Sequence, residues 1–423
     1  MYTTWVLGLP SGHERGDFLT VDLGGTNLRV CWISLSEGKG DTKVDQEQYS
    51  LPEDLKTGKA EELWIFLAKS MQTFIKKKQL PGTQDNPIRL GFTFSYPAIQ
   101  NSIDSGKLQT WTKGFDIKGV EGEDVASQLR TAIEEHKLPV KLVAIINDTT
   151  GALIASAYND PDTIIGAIFG TGCNAAYMDK IGNIPKLQNN QDVKDLDAST
   201  PMAINCEYGA FDNSRTVLPF TRYDKQIDEE SPRPGEQAFE KMSAGLYLGE
   251  IYRLIIIELH SKGLFLQDQN VSKIEEPYCM DTAFLSGIEN DTSDKLSQTA
   301  TKFENDYSVK ISEQELVFSR LVAKMVATRG ARLCACGVAA ICLNNNLTKG
   351  HIAADGSVAN KHPTFKKRWG RALADILDWD ENRVEDPIVM TSAEDGSGIG
   401  AAVIAAMTLE RWDKGQRAGI RNL

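Results

Sequence analysis

Within Asp22-Leu-Gly-Gly-Thr-Asn-Leu-Arg29 the sequence places a carboxylate, two adjacent glycines, two short hydrogen-bonding side chains and a guanidinium. Adjacent glycines in a turn let backbone N–H groups approach a phosphate with no Cβ in the way. Thr26 and Asn27 add side-chain donors beside Gly24 and Gly25, and Arg29 can reach an anion from the strand that follows. Asp22, at a strand end, suits a phosphate-bound Mg²⁺ held through water. Gly-Gly alone would favour a plain tight turn; the acid before it and Thr-Asn-Leu-Arg after it favour a phosphate cradle. The segment is not a Walker loop, because the Gly-Lys-Ser/Thr ending is missing.

Asn147-Asp148 closes the apolar run Val140 to Ile146. Ligand-contacting residues gather at the carboxyl ends of strands in α/β sheets. An aspartate there can take the proton of an attacking hydroxyl during phosphoryl transfer. Asp148 also precedes Thr149-Thr-Gly-Ala-Leu, a helix start at which capping alone would explain it. Glu207, in Asn205-Cys-Glu-Tyr-Gly209, and Glu240, in Ala238-Phe-Glu-Lys-Met242, are single carboxylates beside apolar or aromatic neighbours. Ionised carboxylates only accept hydrogen bonds, which suits the hydroxyls of a sugar. Taken singly, each is more often a surface glutamate. Ser95 and Thr112-Lys113 carry no signal of their own.

These residues need a frame. Asp17 to Leu23 is a β-rich run ending in the glycine turn, and Leu28 to Leu35 alternates beyond it, which predicts a hairpin. Ile164 to Phe169, the turn Gly170-Thr171-Gly172-Cys173-Asn174 and Ala175 to Met178 predict a second. An internal duplication would give two similar α/β lobes, though hairpins recur by chance and the pattern alone leaves this open. Between the hairpins the spacing predicts an amphipathic helix from about Ala60 to Lys76, a strand over Ile88 to Ser95, a helix over Ala126 to Glu135 and a buried strand over Val140 to Ile146. Beyond the breaker cluster Ser231-Pro-Arg-Pro-Gly235, helices are expected from about Gln237 to His260, over Glu313 to Ala327 and Ala331 to Leu343, and over Thr364 to Leu377. Pro387 to Met390 reads as a short strand, and Gly396-Ser397-Gly398 leads into an Ala-rich helix ending near Leu409. Pro277 to Asn305 reads as a polar surface excursion. Strands alternating with helices mean α/β.

A chain of 423 residues exceeds what one hydrophobic core usually serves, so two lobes are expected. A formal net charge of -12 argues against a polyanion-binding surface and against a nucleic-acid partner; phosphate must be held by a local cradle. Seven cysteines without small-scaffold spacing read as reduced thiols. Cys334 and Cys336 form the only close pair, and with no histidine near them they read as a small-residue core segment. The first residues do not resemble a signal peptide and the apolar runs are short, so no membrane span and a cytoplasmic location are expected.

Asp22-Leu-Gly-Gly-Thr-Asn-Leu-Arg29, Leu90-Gly-Phe-Thr-Phe-Ser-Tyr-Pro97, Trp111-Thr-Lys-Gly-Phe-Asp116, Ile146-Asn-Asp148, Phe169-Gly-Thr-Gly-Cys-Asn174, Met202-Ala-Ile-Asn-Cys-Glu-Tyr-Gly209, Ala238-Phe-Glu-Lys-Met242 and Glu394-Asp-Gly-Ser-Gly398 occur in one order along the chain. That series resembles the successive signatures of eukaryotic hexokinases, closest in wording to the fungal hexokinase and glucokinase type. The resemblance implies a two-lobed actin-like ATPase fold, ribonuclease H-like and duplicated, with a cleft between lobes that close on the sugar. It implies an ATP-dependent hexokinase of glycolysis, using Mg-ATP on glucose and, by expectation, fructose and mannose. Asp148 falls on the catalytic base, with Lys113 offsetting charge at the transferring phosphoryl group. The sugar contacts fall on Ser95, Thr112, Lys113, Asn147, Asp148, Asn174, Glu207 and Glu240. Nucleotide contacts fall on Asp22, Gly24, Gly25, Thr26, Asn27, Arg29, Thr171, Gly172, Gly337 and Ser397, and Mg²⁺ on the phosphates, with Asp22 and Asp148 acting through water. Cys336-Gly337-Val-Ala-Ala340 resembles the adenosine-binding segment.

By the same resemblance residues 13–148 with 395–423 form the small lobe and 149–394 the large one. Residues 1–12 are the remnant of a helical segment that family members usually carry before the position of Trp5. A monomer or homodimer is expected. The alternatives are a glucose-restricted glucokinase, a hexokinase-like sugar sensor with little turnover, and an actin-like or chaperone-like ATPase sharing only the fold. A sensor would be expected to have lesions at the base, the lysine or the phosphate glycines, and all are present.

Overall fold

The computed structural model describes residues 1–25, 27–36, 42–112 and 114–423. The two alternating runs around the glycine turn form β2 (Gly16–Leu23) and β3 (Asn27–Leu35), an antiparallel hairpin extended by β4 (Thr42–Ser50). On the other side of β2, β5 (Ile88–Phe94) and β8 (Val140–Ile146) pair in parallel, giving the order β4-β3-β2-β5-β8. Parallel pairing needs crossovers, supplied by α1 (Ala60–Lys78) and α2 (Val125–Glu135), with a small ribbon of β6 (Ala98–Ile99) and β7 (Lys107–Leu108) between them.

After α3 (Asp148–Asn159) the pattern repeats. β9 (Thr163–Phe169), β10 (Cys173–Lys180) and β11 (Pro201–Asn205) are antiparallel neighbours, and β12 (Gly350–Asp355) and β13 (Ile388–Ser392) pair in parallel beyond β9. The order β11-β10-β9-β12-β13 reproduces the first sheet strand for strand, so the likeness of the hairpins reflects a duplicated fold. β1 (Tyr2–Leu7) adds to β11 as an antiparallel edge strand, and the Trp5 indole donates to the Gln100 carbonyl at 2.9 Å. The opening residues are thus part of the second sheet.

Between β11 and β12 the second half carries α4 (Arg222–Glu230), α5 (Ala238–Ser243), α6 (Gly245–Ser261), α7 (Ser272–Glu275), α8 (Thr282–Asn290), α9 (Ser297–Tyr307) and α10 (Glu313–Asn345); α11 (Ser357–Lys361), α12 (Phe365–Ile376) and α13 (Ala401–Asp413) follow. Three expectations change. The helix expected over Gln237 to His260 breaks at Ala244, where Gly245 N–H donates to the Gly170 carbonyl at 2.8 Å. The two segments after Glu313 are one helix of 33 residues. Pro277 to Asn305 is no surface excursion: Phe284, Leu285, Ile288 and Phe303 of α8 and α9 join α6 in a buried cluster. Each of these short helices shows too few apolar positions for a periodic signal.

α10 is long and apolar enough to cross a membrane by length and composition, with a hydropathy of 1.5 over the relevant window. However, 61% of that window is buried in the protein, where α10 packs on α8 and α12. α13 lies on β2, β5 and β8 and also touches α3. At the crossing of α3 with residues 396–400, a Cβ on Gly151 would stand 2.3 Å from the Gly396 carbonyl oxygen, so the approach requires glycine.

The join between α8 and α9 depends on Asp291, 2% exposed, whose carboxylate accepts from Thr299 N at 2.7 Å, Thr299 Oγ1 at 2.6 Å and Ser293 N at 2.9 Å. Burial alone would raise its pKa, but the hydrogen bonds from Ser293 and Thr299 outweigh it and bring the value down to about 2. A folded-state pKa below the unfolded one contributes stability that is present above the unfolded value and lost as pH falls through the folded one. Asp291→Ala is expected to cost about 2 kcal/mol at neutral pH. In urea unfolding the gap from wild type should close as pH drops from about 4 towards 2; a gap independent of pH would refute the carboxylate's role.

Candidate active site

The first glycine turn closes on itself, Gly24 N–H donating to the Asn27 carbonyl at 3.1 Å, while the Tyr96 hydroxyl donates to the Gly24 carbonyl at 3.2 Å. Thr26 lies outside the described residues. Burial, then the charges of Asp22 and Asp148, push the Tyr96 phenol well above its ordinary value, so both carboxylates act on one ring beside the turn. Carboxylate oxygens are the kind of donor Mg²⁺ prefers. Sequence reasoning did not single out Tyr96, which follows Ser95; both residues are buried.

Arg29 was expected to reach a phosphate. Its guanidinium pairs with Asp395 at 2.5 Å, bonds the Ser397 hydroxyl and stands 3.6 Å from Asp22. Asp395 also accepts from Gly398 N–H at 3.1 Å, and Thr93 Oγ1 donates to the Ser397 carbonyl at 2.8 Å. Arg29 thus ties the 395–398 turn to the strand that follows the first glycine turn.

β8 ends at Ile146, and α3 begins at Asp148. The cap is Asn147, whose Oδ1 accepts from Thr149 N–H at 2.9 Å. Capping therefore does not account for Asp148, although its Oδ1 also accepts from Thr149 N–H, at 2.8 Å. Asn147 serves twice: its Nδ2 approaches Glu207 Oε1 at 3.5 Å.

Glu207 is the focus of the polar contacts. Its Oε1 accepts from Asn205 Nδ2 at 2.9 Å and Asn174 Nδ2 at 3.1 Å, and its own N–H donates to Asn174 Oδ1 at 2.8 Å. Its backbone is left-handed, with φ of 50°, a conformation that costs a non-glycine residue about 1 kcal/mol or more and clusters at functional sites. Asn205, at the end of β11, also receives the Asn174 amide on its Oδ1 at 2.8 Å. Sequence reasoning did not assign Asn205 to the site; its place two residues before Glu207 was the available signal.

In the second glycine turn Gly170 N–H donates to the Gly172 carbonyl at 3.0 Å, and the Thr171 carbonyl accepts from Leu246 N–H at 3.3 Å. Glu240, on α5, accepts from Cys173 N–H at 3.1 Å, joining this turn to a carboxylate. Thr112 and Glu240 line one cavity of about 640 Å³, together with Trp111, Arg233 and Tyr247. Lys113 lies outside the described residues. Glu207 lines a neighbouring cavity of about 550 Å³ with Pro97 and Thr110.

A further cavity, of about 430 Å³, opens beside Thr171 and is lined by Ser357, Lys361, His362 and Thr282. The preceding Gly356 abuts the second glycine turn: a Cβ there would stand 2.5 Å from the Phe169 carbonyl oxygen. Asp355-Gly-Ser357 was not singled out in the sequence, although an acid before Gly-Ser at a strand end was a readable signal. Gly337, expected beside an adenine, lies against the Tyr208 ring, 2.9 Å from where its Cβ would be. The small residue there makes room for an aromatic neighbour of Glu207.

Two family models, both described as hexokinase, match residues 1–158 and 164–407. A hexokinase of Emericella nidulans is 52% identical over 100% of this chain and 85% of its own length. Hexokinase-1 of Saccharomyces cerevisiae is 50% identical over 99% of this chain and 86% of its own. Among solved structures, a Schistosoma mansoni hexokinase complexed with glucose superposes with a TM-score of 0.86 at 32% identity, covering 96% of this chain and 88% of that one.

Gly337→Ala should therefore disturb Tyr208 and the Glu207 end of the site. Steady-state kinetics should show the sugar KM raised about fivefold or more, since small displacements of a binding group are costly, with the ATP KM within about twofold of wild type. A rise confined to the ATP KM would return Gly337 to the nucleotide site.

Proposed function

The chain belongs to the hexokinase family, and on that premise we propose how its residues move the γ-phosphoryl group of Mg-ATP to the 6-hydroxyl of glucose, with fructose and mannose as further acceptors. The observation that supports this reading best is the double use of Asn147, which caps the helix beginning at Asp148 and reaches Glu207. The proposed base and the proposed sugar acceptor are thereby set by one side chain.

Glu207 and Glu240 accept hydrogen bonds from sugar hydroxyls, and Asn174, Thr112, Ser95 and Lys113 complete the sugar's contacts. Asp148 takes the proton of the 6-hydroxyl as its oxygen bonds to the γ-phosphorus, and the bond to the bridging oxygen breaks, releasing ADP. Mg²⁺ when bound neutralises charge on the β- and γ-phosphates, with Asp22 and Asp148 as oxygen partners through water. The turns at Gly24 to Asn27 and Gly170 to Gly172 hold the phosphates, and the cavity beside Thr171 and Ser357 takes the adenosine. Gathering the sugar between the two halves excludes water, which would otherwise compete as acceptor. The small lobe is proposed as 13–148 with 395–423 and the large lobe as 149–394. The enzyme is placed in the cytoplasm at the entry of hexose into glycolysis, as a monomer or homodimer.

ADP release from Mg-ATP measured with glucose, fructose, mannose and no sugar tests the reading; ADP formed at one rate in all four would contradict it. Asp148→Ala should lower kcat by about 10²- to 10⁴-fold. Glu207→Gln should act mainly on the glucose KM. Near-normal turnover of Asp148→Ala at saturating glucose would remove Asp148 as the base.

A further inference from the structure

Ser231-Pro-Arg-Pro234, singled out in the sequence only as a helix breaker, has a defined place between the halves of the molecule. Beneath it Asp228, 2% exposed, accepts from Gly235 N–H at 3.0 Å, from Lys241 Nζ at 2.8 Å and from Arg215. Lys241 Nζ also donates to the Arg233 carbonyl at 2.8 Å. The turn is thereby pinned to α5, the helix that carries Glu240. Prolines on both sides of Arg233 restrict the backbone that presents it.

From this anchored turn the Arg233 side chain crosses to the other half. Its Nη2 lies 2.8 Å from Glu121 Oε1, and its Nη1 bonds the Thr110 hydroxyl. The same Glu121 oxygen accepts from Trp111 N–H at 2.5 Å. Trp111 belongs to the first sheet's core, ringed by Phe94, Tyr96 and Phe115 with centroids 5.9, 4.8 and 5.3 Å away. A polar path therefore runs from Lys241 through Arg233 and Glu121 to the Trp111 backbone, and its two ends are the chain neighbours of Glu240 and Thr112.

We propose that Arg233 is a positioning residue for the sugar: paired with Glu121, it fixes Thr112 on one wall of the shared cavity relative to Glu240 on the other. This rests on the sugar-kinase reading above. An ion pair as exposed as this one, 35% and 37% at the two side chains, adds little to global stability. Its effect falls on geometry at the sugar. The nucleotide cavity beside Thr171 shares Leu246 and Tyr278 with the sugar cavity, but neither Arg233 nor Thr112 nor Glu240 lines it, so the nucleotide should not sense the change.

The test uses the full chain and begins with wild-type enzyme; if that forms no sugar-dependent ADP, the kinase reading falls with no bearing on Arg233. With activity present, Arg233→Ala is expected to raise the glucose KM about three- to tenfold, leaving the ATP KM within about twofold. Arg233→Lys should recover part of the loss. Glu121→Gln keeps an acceptor for Trp111 N–H but removes the charge; it should shift the glucose KM in the same direction and serves if Arg233→Ala folds poorly. The double variant should be no worse than the poorer single one, as expected of two groups acting through one contact. Salt should raise the wild-type glucose KM more than that of either variant. An unchanged glucose KM in both single variants, an equal rise in the ATP KM, or fully additive effects would overturn the proposal.

Discussion

One oxygen of Glu207 faces the carboxamides of Asn205, Asn174 and Asn147, and the rest of the site is arranged around that convergence. The three amides come from three places: the end of β11, the start of β10 and the junction of β8 with α3. They can meet only if both sheets and the helix between them are in place. A carboxylate that accepts several N–H donors is held in one orientation, so its remaining lone pairs face a direction fixed by the fold. Asn147 extends the constraint to Asp148 by capping the helix on which that residue stands.

The duplicated sheet explains why two glycine turns occur at equivalent places. Each lies between the first two strands of a matching five-strand pattern, β2-β3 in one half and β9-β10 in the other. The second half departs from the first chiefly by the helices between β11 and β12; α5 supplies Glu240 and Lys241, and the turn before it supplies Arg233. The insertion has its own core around Tyr252, Phe284 and Phe303, which gives those polar residues a firm base.

Much of this was legible in the sequence. Strands with continuous apolar runs or clean alternation, such as Val140 to Ile146 and Leu28 to Leu35, had a readable period, and the ordered motifs identified the family. Other features depend on partners far along the chain. Arg29 shows in the sequence as a cation behind a glycine turn; its actual partner, Asp395, is 366 residues away. Gly337 shows as a small residue, while what fills the space is Tyr208, arriving from another element. Asn205 shows only its place two residues before Glu207, because its role exists only once β10 and β11 are paired. The helices α8 and α9 were missed because each buries only a few side chains, in a cluster that no window of sequence contains.

The convergence on Glu207 is most directly tested by calorimetric titration of glucose into Asn205→Ala and wild-type protein without nucleotide. Removing one amide that holds Glu207 should weaken glucose binding about tenfold, the equivalent of one hydrogen bond to a charged group, with the thermal unfolding midpoint close to that of wild type. Equal glucose affinity in the two proteins would contradict the claim that the carboxamide cluster builds the sugar site.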